Sequence, residues 1–143
     1  MLTANDIALV RATFARVVPQ SAAADLFYDR LLAVSPKLRE LFPADLRGQK
    51  QKLMQMISTA VGGLNNLNQL VPAVKALGAR HHGYGVTTEH YRLVGEALLW
   101  TLERGLGQDF TPEVRSAWAK VYHVLAATMQ AGAAEVANVQ AAE

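Results

Sequence analysis

The stretch Leu70-Val71-Pro72-Ala73-Val74-Lys75-Ala76-Leu77-Gly78-Ala79-Arg80-His81-His82 decides how this chain is read. Leu70, Val74 and Leu77 precede His81 at the spacing of one face of an α-helix. His82 falls on the other side, with Lys75 and Gly78. Gly83-Tyr84-Gly85 breaks the helix directly afterwards, and Pro72 predicts a bend or a restart near its beginning. A neutral imidazole on an apolar face needs partners for its ring nitrogens, or it is desolvated at a cost. A core histidine bonded to a backbone carbonyl meets that need. So does a histidine that offers one nitrogen to a metal.

Outward from this stretch the chain is a series of helical patterns with short breaks. Thr3 and Asp6 have the spacing of a capping box, ahead of the stripe Ile7, Val10, Phe14 and Val17, which Pro19 closes. A second helix covers roughly residues 22–34, with Phe27, Leu31 and Val34 on one face and Tyr28 beside them. Ser35-Pro36 opens a short third helix that ends at Leu41-Phe42-Pro43. The next runs from about Arg47 to Val61 with Gln49, Leu53, Met56 and Ala60 in register, and Gly62-Gly63 stops it. After the His81 helix, Thr87 and Thr88 are candidate caps for the stripe Tyr91, Gly95, Leu98 and Leu102. Thr111-Pro112-Glu113 starts the last helix, whose core face is Val114, Trp118, Val121, Leu125 and Met129. The count is about seven helices and no strand, an all-α domain over residues 1–143 with a tail that frays from about Asn138.

Composition narrows the classes. With 143 residues, 51% of them hydrophobic, the chain is long enough for one good core. The absence of cysteine excludes disulfides, thiolate zinc sites, iron–sulfur clusters and covalent c-type haem. Lys and Arg number 14 against 12 Asp and Glu, too even a balance for a nucleic-acid or membrane surface. The N-terminus carries Asp6 and Arg11 where a signal peptide would need an apolar run, so a cytoplasmic protein is expected.

Two polar residues stand out against the apolar stripes. Gln49 begins the stripe of the fourth helix, where it either points to water from the helix end or enters the interior. Burying its amide unpaired would cost about 1–3 kcal/mol. Tyr28 is either a boundary tyrosine with a wet hydroxyl or an interior donor. With His81 they form a candidate metal-and-ligand pocket.

In order and register, these residues resemble the globins, above all the bacterial single-domain (Vitreoscilla-type) haemoglobins and the globin domain of flavohaemoglobins. The segments that carry the likeness are Leu26-Phe27-Tyr28-Asp29-Arg30, Leu41-Phe42-Pro43, Gln49 with Leu53, Leu70 through Val74 with Arg80-His81, Gly85-Val86, His90-Tyr91, Val94-Gly95-Glu96, and Ala117 through Tyr122. The runs Lys52-Leu53-Met54-Gln55 and Tyr84-Gly85-Val86 are closest to short globins of the Hell's Gate type.

The resemblance implies a three-on-three helical sandwich around non-covalent haem b (iron protoporphyrin IX). His81 would be the proximal iron ligand, since the gap to Gly85-Val86 fits it and not His82. Phe42 would pack on the porphyrin and Leu53 would shape the ligand site. Arg80 would reach a propionate, and Tyr91, Val86 and Val94 would line the cofactor. Tyr28 and Gln49 would stabilise bound dioxygen, giving high affinity and slow release. His90 and His123 read as surface or packing residues. The implied ligands are dioxygen, nitric oxide and carbon monoxide, bound by a monomer or weak dimer. The function implied first is reversible oxygen binding. The alternative is nitric oxide dioxygenation, for which a chain without flavin and nicotinamide domains would need an external NAD(P)H-dependent reductase.

The sequence departs from the family at one telling place. Flavohaemoglobins support the proximal histidine with a tyrosine and a glutamate. Tyr91 is present, but the glutamate's position is Ala133. Glu135 lies two residues on, about 200° around the helix. An incomplete proximal push is therefore expected, unless Glu135 takes over.

Overall fold

The computed structural model describes residues 2–17 and 22–142, with side chains up to residue 137. Six α-helices follow in order: α1 (Ala4–Val17), α2 (Ala22–Val34), α3 (Arg47–Gly62), α4 (Leu67–Gly83), α5 (Thr88–Leu106) and α6 (Pro112–Ala142). Short 3-10 helices at Pro36–Leu41, Leu64–Asn66 and Gly107–Asp109 join them, and the described residues contain no strand. This is an all-α, globin-like arrangement of helices, consistent with a three-on-three sandwich. Among the described residues no helix is long and apolar enough to cross a membrane.

Local chemistry accounts for the element ends. The Thr3–Asp6 capping box forms in full: the Thr3 amide donates to Asp6 Oδ2 and the Asp6 amide to Thr3 Oγ1, both at 3.0 Å. At α6 the Val114 amide donates to Thr111 Oγ1. The Thr87 amide donates to His90 Nδ1 at 3.0 Å, so His90 serves the start of α5. Pro19, and the side chains of the tail expected to fray, lie outside the described residues.

One expectation is corrected. Pro72 neither restarts nor divides its helix, and α4 runs unbroken across it. Pro72 removes a single hydrogen bond, to the carbonyl of Asn68, and both residues are exposed. Water can serve that carbonyl, so the loss is small.

The larger core gathers Val10, Phe14 and Val17 of α1, Leu102 and Leu106 of α5, and Val114, Ala117, Trp118 and Val121 of α6. Its polar insertions are satisfied: Trp118 Nε1 donates to Thr13 Oγ1 at 2.9 Å, that hydroxyl donates to the Leu9 carbonyl at 2.7 Å, and the Thr101 hydroxyl donates to the Ala97 carbonyl at 2.8 Å. Arg11 reaches the other end of the layer, where its guanidinium donates to the carbonyls of Val61 and Gly62 and caps α3 from α1.

Helix α4 packs chiefly on α6, at very close range. A Cβ on Gly78 would stand 1.9 Å from the Met129 carbonyl oxygen, and one on Gly132 would stand 2.1 Å from that of Lys75. Each helix thus presents a bare backbone to the other's carbonyls. The opposite face of α4, with Leu70, Val74, Leu77 and His81, is left only half-buried.

Candidate functional site

A second, smaller cluster carries most of the sequence-predicted site. Phe27, Tyr28 and Leu31 of α2 are buried with Leu38 and Ala97, and partly buried Phe42, Leu46, Leu53, Leu93 and Val94 pack around them. Tyr28 is 3% exposed, which overturns the boundary reading. Its ring meets Phe27 edge-on at 5.0 Å and Phe42 edge-on at 5.5 Å between centroids. The Gln49 side chain of α3 lies on the side of its hydroxyl. Gln49 therefore does not simply face water: it is half-buried and turned onto α2. Burial pushes the Tyr28 phenol above its ordinary pKa, and the Gln49 contact eases it back in part.

His81 sits on the half-buried apolar stripe of α4. Its Nδ1 lies 2.8 Å from the Leu77 carbonyl oxygen. A carbonyl only accepts, so Nδ1 carries the proton and Nε2 keeps the free lone pair of a metal ligand. Gly85, at φ +87°, turns the chain so that the Val86 amide donates to the His81 carbonyl at 3.1 Å. The hydrogen bond of the His81 ring and its contact with the Tyr84 ring are both with its own segment. Arg80 is exposed at the end of α4, and His123 is exposed on α6.

Tyr91 is buried on α5. Its carbonyl accepts from the Tyr122 hydroxyl at 2.5 Å, and the Tyr122 ring lies so close to Gly95 that any side chain there would strike it. Among the described residues the Tyr91 hydroxyl is the one buried side-chain polar atom without a hydrogen-bond partner. Glu135 does not take the place of the missing glutamate. It is exposed and bonded to Lys75 Nζ of α4 at 2.8 Å, beside the Gly132 crossing. The crossing itself was invisible in the sequence pattern, although Gly78 and Lys75 already shared the face opposite His81.

The parts fit haem. Helix α4 offers a histidine with its tautomer fixed and Nε2 free. Helices α2 and α3 offer a buried tyrosine and an amide among rings and leucines. Apolar side chains near each are only partly buried, as suits residues that would line a flat hydrophobic group.

The fold and this site define a class: an all-helical gas-ligand and haem scaffold. Residues 25–129 match the globin family model, and the chain belongs to the globin family. It is 34% identical over 105 residues to the flavohemoprotein of Bacillus subtilis, covering 70% of this chain and 26% of that protein. The chain thus spans about a quarter of that relative's length. It is 31% identical over 121 residues to neuroglobin-1 of Oncorhynchus mykiss, covering 75% of this chain and 76% of the other. Among solved structures, an engineered carbene transferase from Rhodothermus marinus, RmaNOD, whose name refers to nitric oxide dioxygenase, superimposes with a TM-score of 0.87 at 28% identity over 99% of both chains. Family membership implies a haem cofactor.

Proposed function

We propose that this globin holds haem b between His81 and the Tyr28–Gln49 pair, and that it acts as a nitric oxide dioxygenase when a separate reductase supplies electrons. The observation that carries the reading is the buried Tyr28 side chain, with half-buried Gln49 beside it, inside an apolar cluster. The similarity to flavohemoprotein and to RmaNOD supports this chemistry over oxygen storage. Haem, when bound, supplies the iron at which gas ligands coordinate and which is oxidised and re-reduced in each turnover. Overall, nitric oxide, dioxygen and one electron give nitrate.

The chain's residues have distinct tasks. Tyr28, with its pKa raised by burial, keeps its proton at neutral pH and can donate it to a ligand that gains negative charge. Gln49 supplies a second donor. Charge-assisted bonds of this kind are worth roughly 1.5–3 kcal/mol each, and about 1.4 kcal/mol is tenfold in affinity. Two donors therefore retain a polar ligand on the order of a hundredfold longer, while carbon monoxide gains less. Phe42 and Leu53 would exclude water and pack on the cofactor, with Val86, Val94, Tyr91 and Arg80 as its further contacts. Phe27 and Leu53 also border an apolar cavity of about 30 Å³ that reaches Trp118, room suited to a small apolar gas such as nitric oxide. His81, whose Nδ1 proton meets a neutral carbonyl and not a carboxylate, would give a bound iron only moderate electron donation.

The test is stopped-flow mixing of the oxygenated protein with nitric oxide, followed by nitrate measurement and re-reduction by a flavin reductase. One nitrate per haem and repeated cycles are expected. The retention by two donors also favours reversible oxygen binding, which becomes the function if re-reduction is too slow for turnover. In either case Tyr28→Phe should release oxygen at least tenfold faster, and an unchanged off-rate removes Tyr28 from the site.

A further inference from the structure

Beside the Tyr28–Gln49 contact, the same two helices are joined a second time. Lys50 Nζ of α3 lies 2.7 Å from Asp25 Oδ1 of α2. Lys50 follows Gln49 directly, and Asp25 precedes Tyr28 by three residues, one turn back on the same face of α2. The ion pair and the ligand-facing pair thus run side by side across one helix–helix junction.

Besides this pair, the first turn of α3 is tied by Asp45 Oδ1, which accepts from the Arg47 amide at 3.0 Å, and by Leu46, packed in the Tyr28 cluster. None of Arg47, Gly48, Gln49 and Lys50 belongs to an apolar cluster, and the buried residues of α3, Ala60 and Val61, lie at its far end. The N-cap position, Leu46, offers no side-chain cap. Gly48 has open space around it, and helical glycine favours local unfolding. Arg11 holds the C-terminal end of α3 to α1, a tie that does not reach the N-terminal end. Asp45 also lies near Lys50, but it is taken by Arg47, whose Nε and Nη2 donate to it at 2.8–3.1 Å. Asp25 is therefore the carboxylate that fixes Lys50.

We infer that Asp25 and Lys50 are positioning residues that latch the first turn of α3 onto α2 and hold Gln49 on the Tyr28 hydroxyl. The inference rests on the proposed ligand contacts of Tyr28 and Gln49. The Lys50 side chain is 26% exposed and that of Asp25 59%, so the pair adds little to global stability. Locally it matters more, because a segment with few buried contacts opens near zero free energy, and one partly exposed ion pair shifts that equilibrium by about three- to fivefold. Each opening swings Gln49 away and leaves Tyr28 as the single donor.

The experiment uses the haem-loaded protein and compares Asp25→Asn, Lys50→Met and the swapped double variant Asp25→Lys with Lys50→Asp. Three readouts apply: hydrogen–deuterium exchange of residues 47–53, the C–O stretching frequency of the ferrous carbon monoxide complex, and the oxygen off-rate at about 0.05 and about 1 M salt, a span that covers strong screening. The single variants should raise exchange and off-rate about three- to fivefold and shift the stretch, and the swap should restore all three. High salt should speed release in the parent and not in the singles. Unchanged exchange in 47–53 overturns the latch. If Tyr28→Phe speeds oxygen release while the ion-pair variants do not, the latch is wrong and the ligand contacts stand. If Tyr28→Phe has no effect, the ligand contacts fall, and the exchange data alone decide the latch.

Discussion

At the scale of single residues, Tyr91 and Tyr122 show how position and not residue type sets an energy. Both phenols are raised above their ordinary pKa, Tyr91 by burial and Tyr122 by burial and then by Tyr91 beside it. Yet Tyr122 donates a 2.5 Å hydrogen bond, while the Tyr91 hydroxyl is buried without a partner. Removing a paired group and removing an orphaned one have opposite consequences. Tyr122→Phe should destabilise by about 1 kcal/mol in urea unfolding, and Tyr91→Phe should be neutral or stabilising by about as much. The same shifts give a pH dependence. A tyrosine whose folded pKa exceeds its unfolded value adds stability that is complete below the unfolded value, near 10, and is lost as pH rises through the folded value. Stability should therefore fall above about pH 10, and Tyr122→Phe should flatten that fall. At Ala133 the missing carboxylate leaves His81 with the Leu77 carbonyl as its acceptor.

At the scale of the element, α4 is placed by α6, and two glycines make the placement possible. Backbone-to-backbone contact at Gly78 and Gly132 leaves no room for a methyl group, and the Lys75–Glu135 pair ties the same crossing. Gly78→Ala should therefore cost about 3 kcal/mol, as overpacking does, and should weaken haem retention because α4 carries His81. Gly48 is the counterexample. A Cβ there meets nothing within 4 Å, so Gly48→Ala should stabilise by roughly 0.5–1 kcal/mol through the unfolded chain. Thermal unfolding with a haem-loss assay separates the two outcomes. Pro72 belongs to the same account: a strong local breaker is absorbed where it removes one solvent-side bond from a helix held by its other face.

At the scale of the whole molecule, the first and last helices close the fold through Asp6. It completes the α1 capping box with Thr3, and Lys120 of α6 reaches it at 3.3 Å. The Thr3 amide first, and Lys120 after it, hold its carboxyl below the usual range against the opposing effect of burial. A depressed folded pKa gives stability that is present above the unfolded value and lost as pH falls through the folded one. Asp6→Asn should thus lower the melting temperature at neutral pH and show a weaker acid dependence below about pH 4, measured by circular dichroism. The helix bounds, the apolar stripe that carries His81, and the Gly85 turn were all legible in the sequence, because periodicity, caps and breakers act within a few residues of themselves. The burial of Tyr28, the approach of Gln49 to it, the diversion of Glu135 to Lys75 and the orphaned Tyr91 hydroxyl were not. Each depends on the distance and angle at which two helices cross, and at the α4–α6 crossing glycines far apart in the chain set that geometry only once the helices meet.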